Sequence, residues 1–272
     1  LLLSLLGWFL VAGSIEIRPA NFSNFFGAGS ENILSAAGLV FISYVGVTKV
    51  ISVAGEIKNP ERNLPLGLFL AIGTTIIVYI VGLLVMVGVS GTEGLSMVDG
   101  AINLTPVSTV AAAITGSITG SYVMAVAAIL AFLSVANAGI LSASRYPLAM
   151  SRDHLLPPAL KKVDGKGTPI IGIIISSGVI IVSILLLDPL KIAKLASAFQ
   201  LLMFALLCMS VIVMREAELP SYDPGYRSPF YPWLQLFGAA ACIAIIFVMG
   251  WLPVLFSSGI VVIGILWYFY YA

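Results

Sequence analysis

Apolar residues gather along this chain into runs of roughly twenty, the length needed to cross a hydrocarbon core as a helix. Short stretches between the runs hold nearly all of the charge. Eight runs are readable, at residues 1–13 (a partial one), 33–55, 66–89, 121–144, 170–187, 192–214, 231–250 and 252–271. None alternates with a period of two, as a transmembrane strand does, so the runs predict helices. The predicted fold class is an all-α polytopic membrane protein of about eight spans. Between spans, Asn59-Pro60-Glu61-Arg62-Asn63-Leu64-Pro65 predicts a tight turn, with Pro65 just ahead of the next helix. The longest connection, 90–120, is weakly polar; within it, 106–114 predicts a short surface helix, an irregular loop being the alternative.

Composition agrees. Hydrophobic residues make up 60% of the 272 and charged residues 9%, against about 25% charged in a soluble domain. That excludes a water-soluble globule, a disordered chain and a nucleic-acid binder. The formal net charge of +1 carries no information about partners; the placement of the cations does. Lys58, Arg62, Arg145, Arg152, Lys161, Lys162, Lys166, Arg215 and Arg227 fall on one set of connections. Only Arg18, Lys191 and Lys194 fall on the other, and Lys49 lies inside a span. Nine against three, alternating correctly across eight spans, predicts that 56–65, 145–169 and 215–230 are cytoplasmic. Trp8, Tyr231, Trp233, Trp251 and Trp267 sit at span ends, as interfacial aromatics do. The chain opens on Leu1-Leu2-Leu3 inside an apolar run, without Met or a basic leader, which leads us to expect a piece of a longer polypeptide.

Chemistry-bearing residues are few. Cys208 and Cys242 lie in apolar runs with no metal spacing and read as small packing residues. His154 is the single histidine and has no second ligand nearby. No phosphate loop, nucleophile elbow or metalloprotease motif is present, so no metal, no cofactor and no enzymatic activity are expected. The most informative span is 33–55, whose middle holds Ser43, Gly46, Thr48 and Lys49. Small residues there fit close helix packing. They equally fit a mid-membrane break that frees backbone groups to hold a polar solute. Lys49 lies nine residues before Lys58, about 13 Å along a helix, and so near the middle of the bilayer. A lysine there calls for a partner, with Glu56 on the same face, for a water-lined cavity, or for a coupling role.

Three stretches carry a resemblance. Phe41-Ile42-Ser43-Tyr44-Val45-Gly46 followed by Ala54-Gly55-Glu56-Ile57-Lys58-Asn59-Pro60-Glu61-Arg62-Asn63-Leu64-Pro65 resembles the sixth helix and following loop of the amino acid–polyamine–organocation transporters. Ser134-Val135-Ala136-Asn137-Ala138-Gly139 through Arg145, with Met150-Ser151-Arg152-Asp153, Leu156-Pro157 and Gly167-Thr168-Pro169, resembles that family's eighth helix and its cytoplasmic loop. Met214-Arg215 with Pro224-Gly225-Tyr226-Arg227-Ser228-Pro229-Phe230-Tyr231-Pro232 is similar to the loop between its helices ten and eleven.

The resemblance implies a leucine-transporter-like fold of two inverted five-helix repeats with two further helices. Residues 1–13 would then be the end of family helix five, 33–214 the second repeat and 231–271 the two C-terminal helices, in one transmembrane domain. It further implies secondary active transport of an amino acid by alternating access, proton-coupled or by exchange, in the plasma membrane. A channel, or a transport-dead receptor on the same scaffold, is the alternative. The expected partners are the amino acid, membrane lipid and the N-terminal helices of the same protein. Phe41, Ile42, Ser43, Tyr44, Val45 and Gly46 become the expected substrate contacts, with Ile42 and Tyr44 shaping the side-chain pocket. Many relatives carry an acid two positions after the glycine; here Thr48 stands in that place, followed by Lys49. Ser134 and Asn137 could supply ion-coupling oxygens, or ordinary interhelical hydrogen bonds. Gln200 is a further pocket-lining candidate, and Arg145, Arg152 and Asp153 are expected to organise the cytoplasmic loop.

Overall fold

The computed structural model describes residues 2–23, 30–50, 57–98, 100–165, 167–217 and 227–271. Helices occupy every apolar run: α1 (Leu2–Ile15), α2 (Ser30–Val40), α3 (Val45–Val50), α4 (Pro60–Ser96), α5 (Pro106–Thr115), α6 (Ile118–Arg152), α7 (Ile170–Leu186), α8 (Pro189–Glu216), α9 (Trp233–Val248) and α10 (Trp251–Tyr271). A 3-10 turn, Phe41–Tyr44, joins α2 to α3. The one strand pair among the described residues is a two-residue ladder, β1 (Met97–Val98) with β2 (Ala101–Ile102), in the 90–120 connection. In that connection α5 forms where a short helix is expected. The chain is thus an all-α polytopic membrane protein. By length and apolarity alone, α4, α6, α8 and α10 can each cross a bilayer; the other apolar helices are shorter.

The α4 and α6 helices run past their expected ends, each with a proline inside it. The α4 helix starts at Pro60, so Pro65 lies inside it. The Asn59 carbonyl accepts from the Arg62 and Asn63 amides at 3.2 and 3.0 Å, and Asn63 Nδ2 donates to the Lys58 carbonyl at 2.6 Å. With the start so anchored, Pro65 removes only one bond of the second turn. Likewise α6 continues through Pro147 to Arg152 instead of ending near Ser144.

Two compact groups of elements are best taken separately. The first comprises α1, residues 68–96 of α4, α5 and residues 118–139 of α6. Its core is Phe9, Val85, Val110, Ala111 and Met124. Gly91 sits at φ 69°, ψ 170° and bends α4 there. The carbonyls just before the bend find partners in the 16–23 connection: the Arg18 amide donates to Gly88 O at 2.9 Å, and Asn21 Nδ2 donates to the same oxygen at 2.7 Å. These bonds hold the 16–23 connection against α4 just before its bend.

The second group holds residues 29–67 and 140–272. Leu201 of α8 with Ile246 and Met249 of the α9 end form its core, and Phe41, Leu202, Cys242, Ile245 and Val254 pack around them. The α6 and α7 helices meet at Ser144 and Gly172, where a methyl group on Gly172 would stand 2.5 Å from the Ser144 carbonyl oxygen. The loop after α6 is pinned twice: Ser151 Oγ donates to Pro157 O at 2.8 Å, and the Trp267 indole of α10 donates to Leu155 O at 2.9 Å. The second bond sets the end of α10 beside the 145–169 loop.

The contact at Gly172 is backbone on one side and cannot be relieved by a rotamer change. Gly172→Ala is expected to cost about 1–3 kcal/mol as overpacking, read as a lower unfolding temperature of the full-length protein in detergent. Gly178→Ala in the same helix, where no atom lies within 4 Å, should leave that temperature unchanged.

Candidate functional site

The expected break in the second span takes a milder form. The helix tightens to 3-10 pitch over Phe41–Tyr44, but the flanking Val40 (φ −72°, ψ −15°) and Val45 (φ −58°, ψ −25°) keep right-handed helical dihedrals. The backbone therefore does not unwind into an extended segment here. What changes is the hydrogen bonding. Ser197 of α8, fully buried, donates its hydroxyl to the Leu39 carbonyl at 2.7 Å and accepts from the Ile42 amide at 3.2 Å. A side chain inserted between a carbonyl and an amide three residues apart is a recognised cause of helix distortion. The 3-10 ring, with its poorer bond geometry, is the form the chain takes beside it.

The six expected contact residues divide by face. Phe41 turns toward α8, its ring 5.5 Å from Phe204 in an edge-on contact and 5.7 Å from Tyr44. It is packed against the Leu201, Ile246 and Met249 core and is the one of the six that belongs to the interior. Ser43 and Gly46 lie on the opposite, exposed face, three positions apart. A methyl group at Gly46 would meet nothing within 4 Å, whereas one at Gly38 would stand 2.6 Å from Met249 Cγ. Gly38 is thus the close-packing glycine of this span and Gly46 is not. Ile42, Tyr44 and Val45 are half-buried at the edges of the open face. Thr48 and Lys49 lie on α3, but their side chains, and Glu56, fall outside the described residues.

One turn beyond Ser197 on α8, Gln200 is 4% exposed and its Nε2 has no hydrogen-bond partner among the described residues. A buried amide donor left in this way is costly unless something else accepts from it. Ser134 and Asn137 lie on α6 within a stretch, 132–138, that is exposed on every side. Arg145, Arg152 and Asp153 line a groove of about 430 Å³ with Gly167 and Pro169. They form no ion pair with one another; the ion pair recorded among the described residues is Lys191 with Asp188 at 3.0 Å. His154 takes a left-handed turn conformation (φ 60°) in the same loop, and the described residues contain no cluster able to hold a metal. Ser197, the residue that shapes the turn, stood unremarked among the apolar neighbours of its span.

The family model described as amino acid permease matches residues 11–270. A branched-chain amino acid permease of Bacillus subtilis is 28% identical over 97% of this chain and 56% of its own length. The methylthioribose transporter of the same organism is also 28% identical, again over 97% of this chain and 56% of its own. A vacuolar cationic amino acid transporter of Arabidopsis thaliana is 30% identical over 71% of this chain and 31% of its own length. The chain therefore spans little more than half the length of the two bacterial relatives.

Ser197→Ala removes a group that satisfies both Leu39 O and Ile42 N–H. The loss is expected to cost about 1–3 kcal/mol. It should appear locally, as faster hydrogen exchange of the amides in 41–45 with little change elsewhere in α8.

Proposed function

Because this chain belongs to the amino acid permease family, a family of transporters and not of enzymes, we propose that the protein carries a neutral amino acid across the plasma membrane by alternating access. The observation that carries the proposal is the Ser197 hydroxyl set between Leu39 O and Ile42 N. It marks the Phe41–Tyr44 turn as the place where a membrane helix departs from α-helical bonding. Helix carbonyls facing a C-terminal end attract a cation, and a half-helix end in the bilayer is a recurrent way to hold a small charged solute. A 3-10 ring gives up its carbonyls to an ammonium more cheaply than an α-helical one. Ser43 and Gly46 supply an unobstructed polar face at this level. Ile42, Tyr44 and Val45 form an apolar wall with no acid to favour a second positive charge.

In this reading 33–214 is the second of two inverted repeats and 231–271 adds the two C-terminal helices. The opposite wall of the pocket comes from N-terminal helices of the same polypeptide. Residues 56–65, 145–169 and 215–230 are cytoplasmic, following the nine-to-three distribution of cations. Lys49 takes part in coupling, gaining and losing a proton in place of an ion site, with Thr48 beside it. Ser134 and Asn137 face the first repeat. Gln200 turns its free amide toward the solute path.

Counterflow in vesicles carrying the full-length protein tests the main claim. Preloaded leucine should drive transient accumulation of labelled leucine above equilibrium, and arginine should compete poorly. A channel would only equilibrate the label, and strong arginine competition would refute the neutral-substrate reading. Gly46→Leu fills the open face and should abolish accumulation while leaving insertion intact; wild-type uptake by that variant would remove the site. For coupling, uptake by Lys49→Met should lose its pH dependence. Identical profiles for variant and wild type would take Lys49 out of the mechanism.

A further inference from the structure

A second polar cluster lies away from the turn, where α8 ends and α9 begins. It borders a cavity of about 350 Å³ lined by Phe204, Leu207, Cys208, Val211, Arg215, Ser228, Leu234 and Gln235. Three polar side chains there share one hydroxyl. Arg215 Nη2 donates to Ser228 Oγ at 3.3 Å, and Gln235 Nε2 donates to the same oxygen at 2.5 Å. Two features are left open. Gln235 is 7% exposed, and its Oε1 has no partner among the described residues. Arg215 is half-buried in the last turn of α8, and none of the described carboxylates pairs with it. Its guanidinium lies 4.5 Å from the centre of the Tyr231 ring, while the nearby Glu216 carboxylate instead accepts from Tyr231 Oη at 2.7 Å.

A half-buried guanidinium with no counter-ion among the described residues calls for an anion. A buried carboxamide oxygen without a donor calls for an N–H or O–H. The remaining wall, Phe204, Leu207, Val211 and Leu234, calls for hydrocarbon. We propose that this cavity binds a phospholipid of the cytoplasmic leaflet that carries a primary ammonium, the phosphate at Arg215, the ammonium at Gln235 Oε1 and the chain start along Leu207 and Leu234. Its position supports a lipid: Trp233 and Phe230 beside it are 74% and 81% exposed, as aromatic side chains at a membrane interface are. The leaflet rests on the cytoplasmic assignment of 215–230 proposed above, while the lipid site itself does not depend on transport.

The headgroup selects its own control. A phosphatidylcholine headgroup has the same phosphate but no N–H to give to Gln235, and Arg215 already covers one face of Tyr231. The full-length protein is reconstituted in nanodiscs of equal phosphatidylethanolamine and phosphatidylcholine, extracted gently, and its retained lipid counted by native mass spectrometry. Retention should favour phosphatidylethanolamine by about tenfold or more, the size of one charge-assisted hydrogen bond. In Gln235→Met the ratio should fall to near one; in Arg215→Met both lipids should be lost. The ratio is read within a single sample, so partial unfolding does not mimic the result, and Ser228→Ala provides a second, milder variant. Equal retention of the two lipids by the wild type, or an unchanged ratio in Gln235→Met, overturns the proposal. So does a second leucine-binding event per protein that vanishes in Gln235→Met without any lipid preference, since that would assign the cavity to a soluble zwitterion.

Discussion

The second span depends on one hydroxyl. Ser197 is fully buried, and it satisfies a carbonyl and an amide of another helix more than 150 residues earlier in the chain. A polar side chain in a bilayer has few places to put its proton. Leu39 O and Ile42 N–H offer both an acceptor and a donor within reach. Once the hydroxyl is seated, the turn tightens, Phe41 is carried onto Phe204 and the core below it, and Ser43 and Gly46 are left on the other side. Packing and opening are thus consequences of the same bond. The inward ring anchors the turn against α8, and the outward face stays exposed.

Much of the architecture was legible because the bilayer makes apolar length the dominant signal. Each of the eight runs holds a helix, and even α5 appears within a residue of its expected end. The hydrogen bonds at Arg18 and Trp267 tie connections to helices distant in sequence. Helix ends were harder. Pro65 was expected just ahead of its helix, and the 121–144 run stops short of Pro147, yet both prolines lie within helices. The cost of one lost backbone bond is outweighed when capping at Asn59, or the packing of Ser144 and Ser151, fixes the helix on either side.

The unusual turn differs from the expected one in form. A break was expected at about 43–46, whereas the chain keeps helical dihedrals and tightens its pitch over Phe41–Tyr44. Six consecutive residues cannot all face one ligand on a helical path, and the structure divides them: Phe41 inward, Ser43 and Gly46 outward. Ser197 could not be found from its own neighbourhood. A serine in an apolar run reads the same whether it bonds its own helix, as Ser183 and Ser210 do, or reaches a distant one. The Arg215, Ser228 and Gln235 cluster is hidden for the same reason, since its members come from a helix end, a loop and the next helix.

The helices also differ in reach. At 1.5 Å per residue, the 35 residues of α6 extend about 52 Å, while the 17 of α7, which packs against it at Gly172, extend about 25 Å. Of those lengths only the apolar run of α6, 121–144, is set against a hydrocarbon layer of about 30 Å, so α6 carries its last turns beyond that layer. The 17 residues of α7 stand at the short end of what can cross it. A bilayer rich in short acyl chains would fit α7 more closely than a sterol-thickened one, at fractions of a kcal/mol per Å of mismatch.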